Sequence, residues 1–154
     1  MCGIFAIYDF NGNIDITDKV LKNHGSILKH RGPDDYGVFF DRFCALSFRR
    51  LSIIDLSSKG SQPMYSDDKR FVIVFNGELF NYIEIRSLLR KEGVHFKSNS
   101  DTEVLLKLFI HFGENFTKYI QGMYAFLIWD RLKHELHICR DRLGIKPLYI
   151  TKKN

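Results

Sequence analysis

The sequence is poor in several things that would have steered its reading. No stretch approaches the roughly 18–20 consecutive apolar residues of a membrane-spanning helix. The N-terminus lacks the basic region, apolar core and small-residue cleavage site of a signal peptide. There are three cysteines in 154 residues, Cys2, Cys44 and Cys139. That odd, widely spaced set matches neither a disulfide framework nor a metal-ligand spacing. Internal repeats, low-complexity runs and linkers are missing. The formal charge of +5 is spread along the chain, without the basic–aromatic stripe of a nucleic-acid groove. These absences make a reduced, cytoplasmic, metal-free protein the expectation, with no nucleic acid and no membrane as partner.

What is present begins at the first residues, Met1-Cys2-Gly3-Ile4-Phe5. Once Met1 is removed, Cys2 carries a thiol and the free α-amine. Their reference pKa values of about 8.5 and about 7.7–8.0 leave each partly reactive near neutrality. The amine then serves as base for its own thiol, so no His/Asp relay is required. Gly3 leaves room for substrate beside the sulfur, and Ile4–Tyr8 reads as a buried strand anchoring the nucleophile. An initiating Met followed by an accidental Cys explains the same five residues.

Fourteen Phe and seven Tyr supply core for one domain of this length. A helix is expected from about Thr17, with Val20, Leu21, His24, Ile27 and Leu28 on one face, stopped by Gly32-Pro33. Two short strands flank Asp41-Arg42. Phe71–Phe75 is a continuous apolar run and reads as a central strand. Helices are expected over Tyr82–Glu92, with Ile85, Leu88 and Leu89 inward, and after the capping-box sequence Ser100-Asp101-Thr102-Glu103. A hairpin, Met123–Trp129 and Glu135–Cys139, precedes a last strand at Lys146–Ile150. The class is α+β, with helices packed on sheets.

Four polar motifs each have two readings. His30-Arg31-Gly32-Pro33-Asp34 is explained by helix termination alone. Arg50, ahead of an apolar run, is an ordinary surface residue or a planar fork for a carboxylate. Asn76-Gly77-Glu78 is a hairpin turn signal, yet a helical pattern follows it. At a strand end, the Asn amide and a Gly N–H suit a developing oxyanion. Asp101 is a first-turn helix carboxylate or the partner of a substrate ammonium. A thiol, an oxyanion hole, and one grip each for a carboxylate and an amine together describe amide hydrolysis on an α-amino acid side chain.

Over nearly its whole length the chain resembles the N-terminal glutaminase domain of glutamine-hydrolysing asparagine synthetase, a class II glutamine amidotransferase. The resemblance is carried, in order, by Met1–Phe5, His30–Asp34, Arg50–Leu56, Gln62-Pro63-Met64, Phe75–Tyr82, Ser100–Val104, Gly122–Asp130 and Arg140–Tyr149. It implies a four-layer αββα sandwich of the N-terminal-nucleophile hydrolase type and hydrolysis of L-glutamine to L-glutamate and ammonia. By position, it implies Cys2 as nucleophile, Asn76 and Gly77 as oxyanion hole, and Arg31 as support for Cys2 and its loop. It assigns glutamine binding to Arg50, Leu51, Ser52, Ile53, Ile54, Asn76, Gly77, Glu78 and Asp101. Arg140–Tyr149 is expected to be structural.

The family often has His where this chain has Phe48. Leu79-Phe80-Asn81 and Tyr124–Ile128 differ as packing variants. The family's domain continues past Tyr149, so the resemblance implies a C-terminally truncated domain over residues 1–154. It needs no cofactor itself, since ATP and Mg belong to a synthetase domain, which is the expected partner in cis or trans. Rival readings are another class II amidotransferase, serving a sugar-phosphate or phosphoribosyl acceptor, and a non-catalytic remnant that binds glutamine or a partner chain.

Overall fold

The computed structural model describes residues 1–152. The chain runs β1 (Gly3–Tyr8), α1 (Asp18–Ile27), β2 (Asp35–Phe40), β3 (Cys44–Arg50), β4 (Met64–Tyr65), β5 (Phe71–Leu79), α2 (Tyr82–Lys91), α3 (Asp101–Phe112), β6 (Gly122–Asp130) and β7 (Glu135–Arg140). Two antiparallel sheets form, in the orders β1-β3-β2 and β4-β5-β6-β7.

Alternation along the strands stacks these sheets. Val72 and Val74 of β5, with Leu127 and Trp129 of β6, meet Phe39, Leu46 and Phe48 of the other sheet. The intervening residues Ile73, Phe75, Phe126 and Ile128 turn the other way, onto Leu89, Leu105 and Phe109 of α2 and α3. Both faces of β5 and β6 are therefore dry, which is why they read as unbroken apolar runs. With α1 against the outer face of the three-stranded sheet, the layers are α, β, β, α, as the resemblance implies.

Several local expectations need correction. The buried residues of α1 are Leu21 and Gly25, whereas Val20 and Ile27 are 40% and 71% exposed. Gly25 lets the helix lie directly on β3, where an added Cβ would meet the Ser47 hydroxyl. This close approach turns the flanking aliphatic residues outward. The helix stops at Ile27, ahead of Gly32-Pro33, with the Leu28 and Lys29 N–H groups donating back to the carbonyls of Gly25 and Ser26. On α2, Leu88 is 38% exposed and Arg86 is buried instead. The Arg86 guanidinium donates to the carbonyls of Ser98 and Ser100, at 2.7 and 3.0 Å, bracing the approach to α3.

The capping box at α3 is half formed. Ser100 Oγ accepts the Glu103 N–H at 3.2 Å. The Glu103 carboxylate, however, takes the N–H groups of Lys97 and Ser98, at 2.8 and 2.7 Å. The expected last strand, Lys146–Ile150, is not a strand. Its start is wrapped around Asp141, whose carboxylate accepts the N–H groups of Ile145 and Lys146 at 2.8 and 3.0 Å. Pro147, which has no N–H to offer a ladder, follows.

Candidate active site

The site is built where β1 begins and β3 ends. Pairing of Gly3 with Arg49 brings Cys2 beside Leu51, whose N–H donates to Cys2 Sγ at 3.4 Å. Arg31, from the turn after α1, donates its Nε–H to the Cys2 carbonyl at 3.1 Å. Backbone and side chain of Cys2 are thus both held. Burial pushes the Cys2 thiol pKa up, opposed by the Leu51 N–H and the N-terminal charge. Gly3 has a different role from the one expected. A Cβ there would lie 2.8 Å from Leu28 Cβ, so its smallness serves the contact between β1 and the end of α1.

Cys2 opens onto a cavity of about 160 Å³. Arg50, Leu51, Ile53, Ile54, Asn76, Gly77, Glu78 and Asp101 all line it. Of the residues expected in the site, Arg31 and Ser52 are outside its wall. Arg31 lies behind Cys2, and the Ser52 N–H is turned to Asp34 Oδ2 at 2.8 Å.

Arg50 is 7% exposed. It donates to the carbonyls of Ser57, at 3.0 Å, and Asp55. A Cβ on Gly60 would stand 2.5 Å from its Nη2, so that glycine gives the guanidinium its berth. Asp55 Oδ2 in turn accepts the Asn99 N–H at 2.8 Å, tying the loop after Arg50 to the start of α3. The Ser57 hydroxyl, with the Asn99 N–H, holds the Asp55 carboxyl below its usual range.

Asn76-Gly77-Glu78 corrects a local expectation. It is neither a turn nor a strand end: β5 runs through it, opposite Ala125, Tyr124 and Met123 of β6. Gly77 is needed because a Cβ would lie 2.8 Å from Tyr124 Cα. Asp101 begins α3 facing the cavity and accepts the Leu79 N–H at 3.2 Å. Burial pushes its pKa up to about 6, against the pull of backbone N–H groups at Leu79 and Thr102.

Asp55, Gln62 and Lys146 are among the wall residues to which the sequence assigned no catalytic or binding role. All three stand in segments that carry the family resemblance, which was the available signal. Their side-chain partners are distant in sequence and show only in the fold. Among the described residues, no group of three or more His, Cys, Asp or Glu side chains is placed to hold a metal ion.

The chain is 42% identical over 156 residues to asparagine synthetase [glutamine-hydrolyzing] 1 of Bacillus subtilis, covering 100% of this chain and 24% of that protein. It is 40% identical over 167 residues to putative asparagine synthetase [glutamine-hydrolyzing] 2 of Methanocaldococcus jannaschii, covering 97% of this chain and 32% of that protein. The chain therefore spans about a quarter to a third of these relatives. Among solved structures, glutamine phosphoribosylpyrophosphate amidotransferase of B. subtilis, complexed with ADP and GMP, superposes with a TM-score of 0.57. It is 25% identical, over 67% of this chain and 24% of that one. The family described as glutamine amidotransferase domain matches residues 1–154, and the chain belongs to that family.

Proposed function

We propose that the chain hydrolyses L-glutamine to L-glutamate and ammonia through a thioester on Cys2, supplying ammonia for asparagine synthesis. The observation that carries this reading is the convergence of Cys2, Asn76, Gly77, Arg50 and Asp101 on one cavity. Removal of Met1 frees the Cys2 amine. The amine takes the thiol proton as sulfur attacks the side-chain carbonyl carbon of glutamine. Negative charge gathers on the carbonyl oxygen, where the Asn76 amide and the Gly77 N–H serve as donors. Collapse expels ammonia with a proton returned from the amine. Water, deprotonated by the same amine, then cleaves the thioester and releases glutamate.

Arg50 and Asp101 hold the two ends common to every α-amino acid, carboxylate and ammonium. Between them, the distance to Cys2 selects the side-chain length. Leu51, Ile53 and Ile54 form the wall along the substrate, and Glu78 adds a second carboxylate beside its amine. Arg31 acts from behind, by fixing the Cys2 carbonyl. The ammonia recipient is a synthetase domain, in cis or in trans. The 42% identity to an asparagine synthetase, against 25% to the phosphoribosylpyrophosphate enzyme, favours aspartate activation over a sugar-phosphate acceptor. The test is ammonia and glutamate release from glutamine by protein whose N-terminus is confirmed as Cys2 by mass spectrometry. Folded, processed protein that releases neither would overturn the reading.

A further inference from the structure

One buried cation in the cavity wall has no part in the steps above. Lys146 is 5% exposed and lines the cavity with Cys2. Among the described residues its Nζ makes one hydrogen bond, at 3.2 Å, to the thioether sulfur of Met1. A thioether is a weak acceptor, and burying an ammonium without a carboxylate or carbonyl partner is unfavourable. A long, flexible side chain ordinarily escapes that penalty by extending its charge into water. Lys146 does not.

Its backbone is also pinned. Asp141 Oδ2 accepts the N–H groups of both Lys146 and Tyr124, at 3.0 and 3.2 Å. Arg140 Nε donates to the Lys146 carbonyl at 2.7 Å. Tyr124 is the β6 partner of Gly77. The lysine is thus fastened to the strand behind Gly77 and reaches the N-terminal residue.

From this placement we infer that Lys146 is a positioning residue acting through the Cys2 α-amine, an inference that rests on the glutaminase reading. Met1 is the residue joined to that amine, and its side chain is what Nζ touches. Cleavage of Met1 removes the thioether and leaves the amine free in the same cavity that Lys146 lines. A cation held in that cavity disfavours protonation of the amine and favours ionisation of the thiol. The base is then neutral, and ready to take the Sγ proton, at a lower pH than it would otherwise be.

The other charged groups facing this point are Arg31 behind Cys2, Arg50 and Asp55 from the end of β3 and its loop, Glu78 on β5, and Asp101 at the head of α3. All five are unchanged by substitution at Lys146, so a shift on neutralising it is its own. The experiment uses full-length, Met1-processed protein carrying K146M, K146Q or K146R, with folding checked by circular dichroism. Alkylation of Cys2 by iodoacetamide is followed across pH on the N-terminal peptide, and kcat/KM for glutamine is measured in parallel.

Both neutral variants are expected to move the acidic limb of each profile upward by roughly one pH unit. K146R, which keeps the charge, should stay close to wild type. Having two neutral variants guards against one that does not fold. Alkylation profiles of folded K146M or K146Q that superimpose on wild type would overturn the assignment. A shifted alkylation profile in protein that hydrolyses no glutamine would uphold Lys146 and overturn the glutaminase reading instead.

Discussion

Gln62 pairs with Phe75 as a strand residue would, but with its side chain. Gln62 Oε1 accepts the Phe75 N–H at 2.6 Å, and its Nε2 donates to the Phe75 carbonyl at 3.3 Å. β4 pairs with β5 only at Met64 and Tyr65, and Pro63 has no N–H with which to continue the ladder. The Gln62 amide carries the pairing on to the residue before Asn76, and Nε2 also reaches Thr102 Oγ1 on α3 at 3.1 Å. Gln62→Leu strands buried polar groups on both elements and should destabilise by on the order of 2–4 kcal/mol. Thermal melts would show a clear fall in Tm, and an unchanged Tm would mean the amide contributes no net pairing.

Cys2→Ala should fold normally and release no ammonia from glutamine. Retention of Met1 should have the same catalytic effect for a different reason, since the α-nitrogen is then an amide and not a base. Glutamine binding should be weakened yet detectable, because Arg50 and Asp101 are untouched while Met1 takes up part of the cavity. Calorimetric titration beside an ammonia assay checks this. Full turnover by Met1-bearing protein would remove the amine from the mechanism.

Arg50 and Asn76 should separate by kinetic signature. Asn76→Ala removes a donor that matters only as the oxyanion develops, so kcat should drop roughly 10²–10³-fold with little change in KM. Arg50→Lys keeps the charge but cannot reach the carbonyls of Ser57 and Asp55 and a substrate carboxylate together. Its main effect should be a higher KM. A variant at Asn76 altered only in KM would refute the oxyanion assignment.

Asp101 predicts opposite trends for binding and stability. To hold an ammonium it must be ionised, so KM for glutamine should rise as pH falls through about 6. For stability the sign reverses. The unfolded carboxyl ionises near pH 3.9 and the folded one near 6. The folded state therefore binds more protons between these values, and this group's contribution falls as pH rises from about 4 to about 6. Asp101→Asn should bind glutamine poorly and yet melt no lower than wild type at pH 7.5. A markedly lower Tm there would show that the ionised carboxylate stabilises the fold.

Much of the fold was legible because several signals agreed at the same positions. The apolar run at Phe71–Phe75, the Ser100 cap and the hairpin through Asp130 each show in local spacing. What failed depended on packing distances that spacing does not encode. Val20 and Ile27 fit a helical face, but Gly25 sets which face meets β3. Asn76-Gly77 has the composition of a turn, and only pairing with Ala125 and Tyr124 keeps it in the strand. Gly3 was read as space for substrate when it is space for Leu28. The site residues came from the ordered motifs of a family and fall almost entirely around one cavity. Gln62 and Lys146 needed the fold, since Gln62 acts on Phe75 and Thr102, and Lys146 on the opposite end of the chain.

The division of the site between the two sheets has a mechanical consequence. Cys2 and Arg50 ride on the three-stranded sheet, whereas Asn76 and Gly77 ride on the four-stranded one, with Asp101 at the helix behind it. The layer between them is packed from Phe48, Val74, Leu127 and Trp129, and Phe48 belongs both to that layer and to the cavity wall. Loosening of that layer would part the two halves of the site. Turnover is then a finer gauge of sheet spacing than any spectroscopic signal from the strands, and on heating it should fade while the backbone signal is still intact.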